Sequence, residues 1–138
     1  MSAIRPEEIT SLLKEQIAGC DGLLLATPEY NNSIPGVFKN AIDWASRPAA
    51  DIARTFGDKP VALIGASPGG FGTILSQNAW LPVLRTLGMR HWSGGRLLVS
   101  KAGSAFDEAG QFVDEDARKR LAAFLSGFVR FVAAREPV

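Results

Sequence analysis

Two runs in this chain, Gly22-Leu23-Leu24-Leu25-Ala26 and Pro60-Val61-Ala62-Leu63-Ile64-Gly65-Ala66, are apolar on consecutive residues and not on alternate ones. A strand with one wet face alternates; a strand covered on both faces need not, and that double burial is the habit of parallel sheets flanked by helices. Parallel neighbours need a crossover between them, and helical patterns fill the intervening sequence. One helix is expected over about Gly36 to Ser46, and another from roughly Thr73 to Leu87 with Pro82 inside it, a residue that bends a helix. Ahead of the first strand, Pro6 suits a first helical turn and Glu7 and Glu8 complement the positive helix end. Ile9, Leu12, Leu13 and Ile17 then recur at helical spacing, and Gly19 supplies a stop. Arg96-Leu97-Leu98-Val99-Ser100 is a shorter third strand. The last helix is expected from about Asp114, its N-cap, to Ala134, with Leu121, Phe124, Leu125, Phe128, Phe131 and Val132 on one apolar face. Arg47 to Lys59, carrying Pro48 and Gly57, reads as a loop. Alternating helix and strand predicts a doubly wound α/β sheet, and 138 residues fit one domain.

Ligands of open α/β sheets bind in the crevice outside the carboxyl ends of the strands. The run Thr27-Pro28-Glu29-Tyr30-Asn31-Asn32-Ser33-Ile34-Pro35-Gly36 lies there, between the first strand and a helix. A proline, an exposed aromatic and two asparagines can offer backbone N–H groups and a flat wall to a planar ligand. The plainer reading is a loop leading into a helix, with Ser33 as its cap and Pro35 beginning it. Ser67 to Gly72 follows the second strand. Its glycines either allow close backbone approach to a ligand or serve only a tight strand-to-helix turn.

Pro28-Glu29-Tyr30-Asn31 through Pro35-Gly36, followed by Lys39-Asn40-Ala41-Ile42-Asp43-Trp44, resembles the signature of the flavodoxin-like NAD(P)H-dependent FMN reductases, nearest to the quinone or chromate reductases. Gly65-Ala66-Ser67-Pro68-Gly69-Gly70-Phe71-Gly72 resembles the same family's second flavin-facing loop, and the resemblance covers nearly the whole chain. It implies a single flavodoxin-like domain, a three-layer sandwich with a parallel sheet. It also implies FMN as cofactor and ping-pong hydride transfer from NAD(P)H to a quinone, azo compound, chromate or free flavin. The implied cofactor-binding residues are Pro28, Glu29, Tyr30, Asn31, Ser67, Gly69 and Gly70. Backbone N–H groups from Glu29 to Asn31 would face the ring's pyrimidine edge, where negative charge develops on reduction, and Tyr30 would line the ring. No side-chain acid or base is assigned, because the cofactor carries the chemistry. A homodimer or homotetramer is implied, since the family's sites lie near a subunit interface. One departure is large: nothing matches the family's N-terminal strand and its Ser/Arg/Asn phosphate-binding loop. In a sheet of strand order 2-1-3-4-5 this chain would begin at the helix before strand 3, leaving the domain incomplete at its N-terminus and Leu23-Leu24-Leu25 on an exposed edge. The expectation is a longer natural protein or a partner chain that covers this edge. A competing reading is a truncated flavodoxin-like module that does not hold FMN and serves in assembly.

Composition removes other classes. Lys+Arg 15 against Asp+Glu 14 leaves a net charge of +1, which exerts no bulk pull toward nucleic acid or membrane. Cys20 is the only cysteine, excluding an internal disulfide framework. No apolar run approaches the ~20 residues that span a bilayer, and Met1 to Pro6 lacks a signal-peptide core; the expected location is the cytoplasm. His91 beside Trp92 has no Cys or His at ligand spacing, so no metal site is expected. Cys20 is expected to be a small core residue, and Trp44 either a core anchor or part of a subunit interface. Lys39 and Asp43 read as a solvated pair, Asp114 to Asp116 as helix-start acids, and Arg118, Lys119 and Arg120 as a solvated face.

Overall fold

The computed structural model describes residues 6–134. Four strands, β1 (Leu23–Ala26), β2 (Pro60–Ala66), β3 (Arg90–His91) and β4 (Leu97–Val99), form one sheet. Every pairing is parallel. β1 runs beside β2 with Leu23 opposite Val61 and Ala26 opposite Ile64. β3 and β4 share the other side of β2, β3 at Pro60–Val61 and β4 at Ile64–Ala66. The unalternating run of β2 is therefore central, and it supplies both cores of the domain. Val61 and Leu63 pack on one face with Ile17, Ile42, Trp80 and Leu84. Ala62 packs on the other with Leu97, Val99, Phe124 and Phe128.

Helices cover both faces, as a doubly wound sheet requires. α1 (Pro6–Gly19), α2 (Gly36–Ala45) and α4 (Ile74–Thr86) supply the first core, and α5 (Glu115–Ala133) the second. These bounds agree with the predicted ones within a residue or so, and α4 continues through Pro82. Asp114 caps α5 as expected, its Oδ1 accepting the Ala117 N–H at 3.0 Å.

Several expectations need correction. The segment Arg47 to Lys59 is not a plain loop: it holds a 3-10 turn at Ala49–Asp51 and α3 (Ile52–Thr55). Ile52 and Phe56, one helical turn apart, bury into the first core, and Lys14 clasps the segment through the Arg47 carbonyl and Asp51 Oδ2, the latter at 2.9 Å. β3 went unpredicted because two residues, Arg90 and His91, show no apolar run. On α1 the apolar face splits: Ile17 and Leu13 pack inward while Ile9 and Leu12 stay exposed. β1 has a partner on one side only among the described residues, and Leu24 keeps 37% of its surface exposed, so this strand is not covered on both faces. Trp44, 60% exposed, is no core anchor. Cys20 is half-buried and donates its thiol to the Ile17 carbonyl at 3.1 Å, so it lies at the core's margin.

Asp114→Ala should lower stability by about 1 kcal/mol, the usual worth of an N-cap, whereas Asp114→Asn should lose little. Urea unfolding of the three proteins, followed by far-ultraviolet dichroism, checks this.

Candidate functional site

The first candidate loop is held from beneath. The Thr27 N–H donates to the Ile64 carbonyl at 2.9 Å, carrying the β1–β2 pairing past the strand end. Thr27 Oγ1 lies 2.9 Å from Ser76 Oγ and accepts the Trp80 indole N–H at 3.1 Å. All three side chains are buried, so this small polar network sits in low dielectric, where each bond is strong and each loss costly. Above it, Tyr30 and Ser33 exchange two backbone hydrogen bonds of 3.1 Å across Asn31 and Asn32, whose φ values are 50° and 63°. Two left-handed residues in succession make the tight reversal that asparagine tolerates better than most side chains. Ser33 is thus engaged in the turn. It does not cap α2, whose N-cap is Pro35 with no side-chain bond. The plainer reading of this loop is corrected on that point.

Glu29 turns inward. Its Oε2 accepts the N–H groups of Leu75 at 2.9 Å and Ser76 at 3.1 Å. These are first-turn donors of α4, left without intrahelical partners, and the carboxylate also meets the positive end of that helix. A residue of the first loop therefore caps the helix that follows the second. Its side chain is committed to holding the two loops together.

The second loop is fastened to a third. Ser67 N–H donates to the Val99 carbonyl, while Lys101 N–H and Ala102 N–H donate back to the carbonyls of Gly69 and Ser67, each at 2.9 Å. The loop after β4 thereby joins the site, which the sequence reading missed; the left-handed Lys101, φ 52°, leaves no mark in composition. The two readings of the glycines divide between residues. Gly72 has φ +55° and a Cβ there would fall 2.6 Å from the Leu98 carbonyl carbon, so it is structural. A Cβ on Gly69 or Gly70 would meet nothing within 4 Å, so open space lies against that backbone.

Pro28, Glu29, Tyr30 and Asn31 thus stand at the end of β1, and Ser67, Gly69 and Gly70 at the end of the adjacent β2. Tyr30 is 56% exposed and can present its ring. The Tyr30 N–H is used within the turn, whereas the N–H groups of Asn31, Gly69 and Gly70 have no hydrogen-bond partner among the described residues. A planar ring with acceptors on one edge fits this arrangement. Its phosphate is less well served: residues 27–36 and 67–73 include no Lys, Arg or His, and Lys101 is the cation of the adjoining loop.

The family model described as NADPH-dependent FMN reductase matches residues 3–104. A 2-hydroxy-1,4-benzoquinone reductase of a Burkholderia species is 41% identical over 128 residues, which is 93% of this chain and 69% of that protein. An NAD(P)H-dependent FMN reductase of Pseudomonas aeruginosa is 45% identical over 108 residues, 78% of this chain and 57% of its own length. Among solved structures, FerB, a flavoenzyme NAD(P)H:(acceptor) oxidoreductase from Paracoccus denitrificans, superposes with a TM-score of 0.81 at 33% identity, over 96% of this chain and 75% of that one. The chain therefore spans between about half and three quarters of the lengths of these proteins.

Thr27→Val, nearly isosteric, should strand the buried Trp80 indole N–H and cost about 1–3 kcal/mol. Glu29→Ala should cost about 0.5–2 kcal/mol through the lost helix cap, and Glu29→Gln, which keeps an acceptor oxygen, appreciably less. Chemical denaturation of the variants gives the comparison.

Proposed function

Because the chain belongs to the NADPH-dependent FMN reductase family, we propose that it carries the flavin-ring site of an FMN-dependent NAD(P)H oxidoreductase that reduces quinones, with chromate, azo compounds and free flavin as further acceptors. The observation that carries this is the pair of loops at adjacent strand ends, locked by Glu29 to the start of α4, with open space against Gly69 and Gly70. The residues that would hold the ring are Tyr30 as its wall and the backbone of Asn31, Gly69 and Gly70 as donors. The cofactor, when bound, supplies hydride acceptance and release. The chain's part is orientation: fixed N–H dipoles aimed at the ring edge cost no reorganisation when negative charge develops there. The fit favours the enzyme over a module confined to assembly.

The same reading includes a homodimer or homotetramer in the cytoplasm. Support for assembly comes from exposed apolar side chains, Val37 and Phe71 at the loops and Trp44 at the far end of α2, and from the edge of β1, which has no partner among the described residues. An apolar groove of about 830 Å³ between α1 and α2, lined by Ile9, Leu13, Ala41 and Trp44, continues that surface. No described helix is long and apolar enough to cross a membrane.

Tyr30→Ala should weaken flavin retention by about tenfold or more, since stacking on an aromatic side chain is worth about 1–3 kcal/mol. Gly70→Ala should also weaken it while leaving the unfolding midpoint unchanged, because the added methyl meets only the space reserved for the ring. Both are measured by ultrafiltration and flavin absorbance; retention equal to the unsubstituted chain in both variants would move the ring elsewhere. With no cation in the two ring loops, riboflavin and FMN should bind this chain with affinities within roughly threefold, as a charge-assisted phosphate contact of about 1.5–3 kcal/mol would otherwise separate them further. Light scattering should give at least a dimer mass, and Trp44→Glu should shift it toward the monomer.

A further inference from the structure

Between β3 and β4 the chain leaves the sheet over residues 92–96 and folds against α5, leaving an open surface cavity of about 290 Å³ whose arginines are all exposed. Trp92 and Phe124 meet edge to face inside it, ring centroids 4.9 Å apart. The backbone presses close to the indole: a Cβ on Gly94 would fall 2.5 Å from Trp92 Nε1, and one on Gly127 would fall 2.7 Å from its Cζ2. Glycine at both positions is what admits the indole here, and its N–H has no hydrogen-bond partner among the described residues.

Three arginines line this cavity, Arg96 from the excursion and Arg120 and Arg130 from α5, and no lining residue is acidic. Arg96 has no ion pair or hydrogen bond among the described residues. Arg130 donates to Ser126 Oγ at 2.9 Å, which leaves its charge uncompensated. Arg120 pairs with Asp116 at 3.2 Å, but both side chains are largely exposed, and such pairs hold weakly. A solvated helix face explains Arg118, Lys119 and Arg120. It does not explain cations from two separate elements meeting over an unpaired indole donor, in a cavity whose polar side chains all donate.

We propose that this cavity binds a small organic anion, a planar group lying against the accessible part of the Trp92 ring and a phosphate or carboxylate held by Arg96 and Arg130. Guanidinium forks match both oxyanions in bidentate geometry, and the half-buried Trp92 ring rewards a flat substituent that inorganic phosphate lacks. The volume is at the lower end of ligand pockets, roughly 300 Å³ and upward, so the ligand is small. The site lies away from the strand ends that carry the flavin loops and stands independently of the flavin reading.

The test is titration of the whole chain with phenyl phosphate, benzoate, inorganic phosphate and phenol, following the Trp92 indole N–H by proton–nitrogen correlation spectroscopy, with Trp92→Phe used only to assign the resonance. Phenyl phosphate or benzoate should produce a saturable shift, phenol none, and inorganic phosphate should bind at least about tenfold more weakly for want of stacking. The double variant Arg96→Gln/Arg130→Gln, with an unaltered dichroism spectrum, should lose at least about tenfold in affinity. No saturable shift with either organic anion, undiminished affinity in the double variant, or inorganic phosphate binding as tightly as phenyl phosphate would each overturn the proposal.

Discussion

One carboxylate holds the functional end of this molecule together. Glu29 leaves the first loop and accepts two N–H groups at the start of α4, the helix that follows the second loop. Directly below, Thr27, Ser76 and Trp80 join the same two segments through buried polar contacts. Helix dipole, helix cap and interior network all act on one seam. The relative position of Tyr30 and Gly70 is therefore set by interactions that neither residue makes. A ligand arriving at these loops meets a surface already arranged, and loses less conformational freedom than it would by ordering flexible segments.

Much of the architecture was legible in the sequence because it rests on burial patterns. The unbroken apolar run Pro60–Ala66 reads as a doubly covered strand and is the centre of the sheet. The six apolar positions of α5 read as one face and pack as one. What escaped detection is what burial does not encode locally. β3 is two polar residues placed by register alone, and α3 forms because Ile52 and Phe56 find a core, despite the Pro and Gly around them. The reverse failure has the same root. Ile9 and Leu12 follow helical spacing yet face outward, since periodicity states that a face is apolar and not what it meets.

The site was legible as a place, less so as a set of roles. Strand–loop–helix order located both loops, and the loops do stand side by side. Side-chain roles depended on long-range contacts. Nothing in Pro28-Glu29-Tyr30 indicates that the glutamate reaches a helix 46 residues further along. Ser33 carries the composition of a cap and serves instead in a turn, because Asn31 and Asn32 accept left-handed backbone. Gly69, Gly70 and Gly72 are alike in sequence, and only the third is required by its own φ angle and the nearness of the Leu98 backbone.

The hydrogen bonds from Lys101 and Ala102 to the second loop have a kinetic side. Glu29 joins loop one to loop two, and these two bonds join loop two to loop three. Opening any one of them alone would break bonds belonging to its neighbour, so the three should open as one cooperative unit and not fray separately. The hydrogen-bonded amide protons of the three loops would then exchange with solvent at a shared rate, and whatever settles on one loop would slow their exchange in the other two.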